Sequence, residues 1–264
     1  MRYFLKLSYN GSSFHGWQSQ PNATGVQSVL EDGLSTILRK KITVLGAGRT
    51  DTGVHAREMF AHLDLEEKIQ DKKRFLQSLN SIVGRNISVP DILEVIPEAH
   101  ARFDAEERTY KYFVTYDKNP FLKDFCWFSA SELDIQKMNE AADILLSTKD
   151  FTSFAKLHSD SKTNICDVRE ALWKPLAEDK EALNFLGNLN KGIVFTISAD
   201  RFLRNMVRAI VGTLVEVGRH KLTLLDFKKV IEDMNRSSAG TSMPAHGLFL
   251  WKISYPESLF LSAP

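Results

Sequence analysis

The sequence predicts an α+β protein of two ferredoxin-like lobes, each in the order β-α-β-β-α-β, with antiparallel sheets that join into one long sheet covered by helices. Two observations carry this expectation. Apolar residues switch repeatedly between the two-residue period of a strand and the 3.6-residue period of a helix, and the resulting order of elements occurs twice. The chain of 264 residues is also long enough for two small domains and shows no flexible linker between them.

The elements follow in order. Alternating apolar residues over 3–9 read as a strand, and Thr24 with Gln27 resembles a capping box opening a helix that carries Val26, Leu30, Leu34 and Leu38 on one face. Residues 42–45 and 59–65 read as strands facing each other across a glycine-rich segment. A helix around Phe75, Leu76 and Leu79 and a strand at 92–96 close the first half. The second half offers a strand at 108–115, a helix at 134–146, strands at 168–173 and 192–198, a helix at 202–217 and a strand at 248–254. The halves share element order but no residue-level similarity. The division falls in the polar stretch 105–107, giving an N-terminal lobe of residues 1–105 that carries the glycine-rich segment. The C-terminal lobe, residues 106–264, has an extra helix near 224–231. The cleft between the lobes is the expected site.

Composition narrows the chemistry. Hydrophobic residues at 43% and charged residues at 25% describe a folded soluble chain. No stretch reaches the roughly 18 apolar residues that span a membrane, and the N-terminus lacks the apolar core of a signal peptide, so a cytoplasmic location is expected. Cys126 and Cys166 are far apart and outside any CxxC pattern, which argues for buried free thiols. The histidines are scattered, and His55 and His62 lack the i, i+4 spacing of a helical metal site, so no metal is expected. A net charge of +1 does not announce a nucleic-acid binder. Basic clusters at Arg39-Lys40-Lys41 and Lys72-Lys73-Arg74 read first as solvated helix ends, and Arg204 with Arg208 as a pair on one helical face.

The chemistry concentrates in the segment from Gly46 to Ala56, which places three glycines, Arg49, Asp51 and His55 between two predicted strands. Gly48 and Gly53 have the spacing of a phosphate-binding loop, but Val54 and His55 stand where lysine and serine or threonine should follow. After Gly46 and Gly48 the next glycine comes five positions on rather than three, so the dinucleotide fingerprint fails too. What remains is an acid on a tight loop, with Arg49 two residues away and on the same side of an extended chain. The residues alone leave two roles open for Asp51, a reacting carboxylate or a turn cap.

A resemblance bears on that choice. The run Gly48-Arg49-Thr50-Asp51-Thr52-Gly53-Val54-His55 resembles the active-site motif of the tRNA pseudouridine synthase A family. Tyr9-Asn10-Gly11 with Phe14-His15-Gly16-Trp17-Gln18 is similar to its N-terminal signature. Ala101-Arg102-Phe103-Asp104-Ala105 with Arg108, Tyr110 and Tyr112, and Asp150-Phe151-Thr152-Ser153-Phe154, resemble its central motifs. Phe202 to Arg208, and Ala245-His246-Gly247-Leu248 with Tyr255-Pro256, resemble the C-terminal ones. Asn10 stands where the family often has aspartate and Thr52 where alanine is common, which bears only on the bracing of the loop.

The resemblance implies paired ferredoxin-like lobes, a homodimer that binds tRNA, and isomerisation of uridine to pseudouridine at positions 38 to 40 of the anticodon stem-loop. The reaction needs no cofactor, since no atoms or electrons are gained or lost. Asp51 would be the catalytic carboxylate, as nucleophile or general base. Arg208 would be its cationic partner, with phosphate contact as its rival role, and Tyr110 would act in catalysis, stacking on the target base and assisting proton transfer at its carbon. Arg49 would fill the space left by the extruded nucleotide or contact phosphate, with Arg204 as a further RNA contact, and Phe14 and Trp17 either contact RNA or plug the core with aromatic rings. Tyr112 reads as core, Asp150 as a cap with two core aromatics behind it, and His15, His55 and His246 as packing or RNA-contact residues. A catalytically inactive RNA-binding protein of the same fold is the rival reading.

Overall fold

A computed structural model describes residues 1–156, 162–187 and 191–261. The chain divides into two compact units, Met1–Glu107 with Leu250–Pro264, and Arg108–Phe249. The C-terminal residues thus group with the first unit, although the sequence pattern ran them into the second lobe. Among the described residues no helix is long and apolar enough to cross a membrane.

In the first unit the elements are β1 (Arg2–Tyr9), α1 (Val26–Leu38), β2 (Leu45–Gly46), β3 (His55–Asp64), α2 (Lys72–Ile82) and β4 (Ile87–Val95). β1 lies between β4 and β3, antiparallel to both, with Leu5 opposite Ile92 on one side and Ala61 on the other. β2 pairs with β3 through Leu45 opposite His62 and Gly46 opposite Ala61. The order β4-β1-β3-β2 is that of a ferredoxin-like unit. Leu5, Leu7, Leu30, Leu34, Met59 and Leu79 are sealed in its core.

In the second unit come β5 (Glu107–Thr115), β6 (Trp127–Phe128), α3 (Ile135–Ser147), β7 (Val168–Pro175), α4 (Lys180–Leu186), β8 (Gly192–Ala199), α5 (Met206–Gly218), α6 (Leu224–Glu232) and the start of β9 (Leu248–Ser254). β8 runs antiparallel to both β5 and β7, which sets Phe195 between Tyr112 and Trp173. α5 is buried almost all round and packs against α3 and α6, as expected of a helix apolar on every face. Lys111 of β5 forms a buried ion pair with Asp179, which also caps α4 by accepting the Ala182 N–H at 2.9 Å. Burial alone would raise the Asp179 carboxyl, but the hydrogen bonds from Lys111 and Ala182 bring it below the ordinary carboxylate value.

Local chemistry accounts for the departures from the sequence pattern. The capping box does not form: Gly25 is the N-cap of α1 without a side-chain bond, and Gln27 instead reaches Glu31 and the Val44 carbonyl. The strand expected at 42–45 shortens to Leu45–Gly46 because α1 takes its donors, Ser35 Oγ accepting the Ile42 N–H at 2.9 Å and Glu31 the Val44 N–H at 3.0 Å. β3 starts at His55, before the apolar alternation begins. β6 and α4, two and seven residues long, carry too little periodicity to be read. The basic clusters are helix ends: Arg39 is the left-handed C-cap of α1, and Lys72 opens α2 with a 2.5 Å ion pair to Asp91. Both cysteines are free and buried, and burial pushes each thiol up to about 12.

Candidate active site

The first unit's candidate site is the loop between β2 and β3. It leaves the sheet at Ala47, whose N–H donates to the Phe60 carbonyl at 2.8 Å, and rejoins it at His55. Thr50 is buried while Arg49 is exposed and Asp51 half-buried, the alternation of an extended segment. A turn closes behind Asp51, its carbonyl accepting the Val54 N–H at 3.1 Å. Gly53 stands in that turn with φ of 79°, a left-handed value that disfavours any side chain.

What holds the loop is the segment after β1, for which the sequence suggested RNA contacts. β1 bulges between Leu7 and Tyr9, and the Tyr9 hydroxyl then meets Thr50 Oγ1 at 2.9 Å in the interior. The Gly11 N–H donates to His55 Nδ1 at 3.0 Å, so that nitrogen carries no proton and His55 is a buried structural acceptor. The Trp17 N–H donates to the Thr50 carbonyl at 3.2 Å, and the Phe14 carbonyl accepts the Gly53 N–H at 3.3 Å. Gly16 lies so close that a β-carbon would come 2.3 Å from the Thr50 carbonyl oxygen, and its φ is 86°.

Of the two roles open to Phe14 and Trp17, burial favours the aromatic plug. Trp17 is 3% and Phe14 7% exposed, and the Trp17 ring lies where a β-carbon on Gly46 would come within 2.4 Å of it. Their rings floor the loop and present no face on which a base could stack. Tyr9, Gly16 and Thr50, to which the sequence reading gave no role, join them as positioning residues, and His55 takes the packing side of the role read for it. The signal was present in a polar-glycine pattern on both segments, but only contact tells which segment braces which.

Removing the Tyr9 hydroxyl tests the brace. Tyr9→Phe is expected to lower turnover roughly 10-fold and stability by about 1 kcal/mol, with KM changing less than 2-fold. Thr50→Val should do the same, and the double variant should lose no more than either single one, measured by steady-state kinetics and urea unfolding.

In the second unit Tyr110 stands on β5 opposite Ile197, half-buried, with its ring edge-on to Phe202 at 5.1 Å and 83°. Tyr112 is fully buried as expected, its hydroxyl donating to the Pro244 carbonyl at 2.9 Å, and burial raises its pKa against the opposing charge of Arg208. Arg208 sits in the first turn of α5. Its Nε donates to the Met243 carbonyl at 2.7 Å and its own carbonyl accepts the Met243 N–H at 3.1 Å.

Arg204 does not share that helix. Asn205 takes a left-handed φ of 65°, which no α-helix interior contains, so α5 begins at Met206 and not at residue 202. The common helical face expected for Arg204 and Arg208 is lost, and Arg204 is an exposed turn residue whose carbonyl accepts the Lys156 N–H at 3.1 Å. Asp150 caps its own turn as read from sequence, accepting from Thr152 N–H at 2.9 Å, with Phe151 and Phe154 sealed behind it. Of the remaining histidines, His15 is exposed. His246 is half-buried, and burial holds its pKa below the usual value. Among the described residues no group of three His, Cys, Asp or Glu side chains is arranged to hold a metal ion.

With this geometry in place, known proteins supply a comparison. A family model described as tRNA pseudouridine synthase matches residues 141–256, a span that includes Arg204 and Arg208 but not Asp51 or Tyr110. The relatives extend over the whole chain. A tRNA pseudouridine synthase A from Bacteroides fragilis is 51% identical over 259 residues, covering 98% of each chain. One from Porphyromonas gingivalis is 48% identical over 261 residues, covering 98% of this chain and 99% of its own. One from Bacillus licheniformis is 35% identical, again over 97% of this chain and 99% of its own.

Proposed function

Because this chain belongs to the tRNA pseudouridine synthase A family, we propose that it isomerises uridine to pseudouridine in tRNA, with the Asp51 carboxylate as the reacting group. The observation that carries the reading is the full-length similarity to enzymes of that name, joined to an acid on a loop braced from beneath by a second motif. The N1–C1′ bond of the nucleotide breaks, a C5–C1′ bond forms, the proton on C5 leaves to solvent and one is taken up at the freed N1, so the reaction balances without a redox partner. A rigid loop suits this chemistry, because misplacing a reacting group by about 1 Å can cost about 100-fold in rate.

The finer assignments extend the same reading. The target uridines are those at positions 38 to 40 of the anticodon stem-loop, and the enzyme acts as a cytoplasmic homodimer. A uridine in a stem must be extruded to react, at a cost of a few kcal/mol. We assign Tyr110 to the face of that base, Arg208 to the charge of the carboxylate, and Arg49 and Arg204 to the phosphates or the vacated stack. The motif resemblance supports each of these roles, and the half-buried ring of Tyr110 agrees with its own.

The test is release of tritium from tRNA carrying [5-³H]uridine, followed by carbodiimide mapping of the product. Wild-type protein is expected to release one tritium per modified site and to leave carbodiimide stops at positions 38 to 40. Intact label after prolonged incubation would support the inactive RNA-binding reading instead, and stops elsewhere would overturn the positional assignment alone.

A further inference from the structure

Away from the Asp51 loop, the first unit holds an aromatic ring out in water on a tightly tied turn. Phe103 is 73% exposed. Its ring lies 4.3 Å from that of His100, and His100 in turn meets His62 edge-on at 4.6 Å. His62 packs against Phe4, its cross-strand partner, at 6.2 Å. The guanidinium of Arg102 stands over the Phe103 ring at 5.5 Å. The column therefore runs from the sheet to solvent and ends in a largely exposed ring with a cation over it.

The turn beneath the ring is bonded on every side. Asp104 accepts the His100 N–H at 2.7 Å, and His100 Nδ1 accepts those of Arg102 and Phe103 at 3.1 and 3.3 Å. His62 Nδ1 accepts the Ala101 N–H at 3.1 Å, and the Tyr255 hydroxyl donates to the Ala101 carbonyl at 2.5 Å. Burial, then the neighbouring His100, push His62 down to about 4, and burial holds His100 below its usual value. Burial thus biases both imidazoles toward the neutral form, which lessens charge repulsion with Arg102. His62 also lines a groove of about 170 Å³ with Arg2, Lys41, Leu45 and Asp64, to which Lys41 brings positive charge.

We propose that Phe103, backed by His100 and flanked by Arg102, is a stacking site for an unpaired base of the RNA substrate, separate from the target uridine. The proposal rests on the tRNA reading above. A base has the π face and the adjoining phosphate that an aromatic ring, a guanidinium and a lysine-lined groove can meet. A protein partner would call for a broad apolar centre, whereas the side chains touching this ring are an imidazole and a guanidinium.

Equilibrium binding of unmodified tRNA, at one fixed salt concentration, tests it with wild type, Phe103→Ala, Phe103→Leu and Phe103→Trp. Loss of one stacked base is expected to weaken binding about 5- to 150-fold for alanine and leucine alike, while tryptophan keeps it. Single-turnover tritium release at saturating tRNA should be unchanged in all four, and thermal midpoints should agree because the ring is exposed. Wild-type affinity in Phe103→Ala, or rescue by leucine equal to that by tryptophan, would overturn the proposal. So would a change in sedimentation mass of the RNA-free Phe103→Ala protein, which would assign the ring to a contact between copies. Failure of wild type itself to bind tRNA or release tritium would remove the parent reading, a result distinct from any of these.

Discussion

Replacing Asp51 by asparagine is expected to abolish pseudouridine formation, with turnover falling by at least ~10⁴-fold while tRNA binding stays within about 3-fold of wild type. Asparagine keeps the size of the side chain and the turn that the Asp51 carbonyl makes with Val54, so the loop should hold its place. What it removes is the negative charge and the lone pair that attack or accept a proton. Asp51→Glu restores the charge but advances the carboxylate by one methylene, and a loss of about 100-fold relative to wild type is expected from misplacement alone. Tritium release under single-turnover conditions separates this chemistry from binding. Activity of Asp51→Asn within about 10-fold of wild type would return the residue to a capping role.

The largest effect on stability belongs to Lys111. Lys111→Met should cost about 3–5 kcal/mol in urea unfolding, because it leaves the buried Asp179 carboxylate without its cation. Asp179 still caps α4 through the Ala182 N–H, so the carboxylate cannot turn away to water without undoing the helix start. Adding Asp179→Asn to Lys111→Met removes the charge yet keeps the cap, and most of the loss should return. A cost below about 1 kcal/mol for Lys111→Met would mean that solvent reaches the pair.

These two positions differ in how far the sequence reveals them. Asp51 is legible as a candidate because its neighbours fall in a recognisable motif, where the residues alone leave a turn cap open as well. Lys111 is not, since a lysine in an alternating strand reads as a solvent-facing residue until α4 is seen to bring Asp179 to it. Phe14 and Trp17 show the converse. Aromatics in a glycine-rich loop leave RNA contact and core packing equally open in sequence, and their burial follows from contact with Gly46 and Gly53, some 30 to 40 residues further along the chain. The start of α5 was misplaced for a local reason: Phe202 to Arg208 fits a helical pattern, but Asn205 in a left-handed conformation breaks it, and with it the pairing of Arg204 and Arg208.

By itself the sequence determined most of the element types, the ferredoxin-like order of the first unit, the family and the acid we propose as the reacting group. Those depend on the period of apolar residues and on motifs of a few neighbouring positions, which are one-dimensional properties. Only the tertiary structure decided that the segment after β1 is the support of the Asp51 loop, that Lys111 is a buried cation, and that Phe103 is held outward on a histidine column. Each of those depends on which distant residue fills the space beside a side chain, and burial, hydrogen-bond partners and charge pairing have no value until that neighbour is in place.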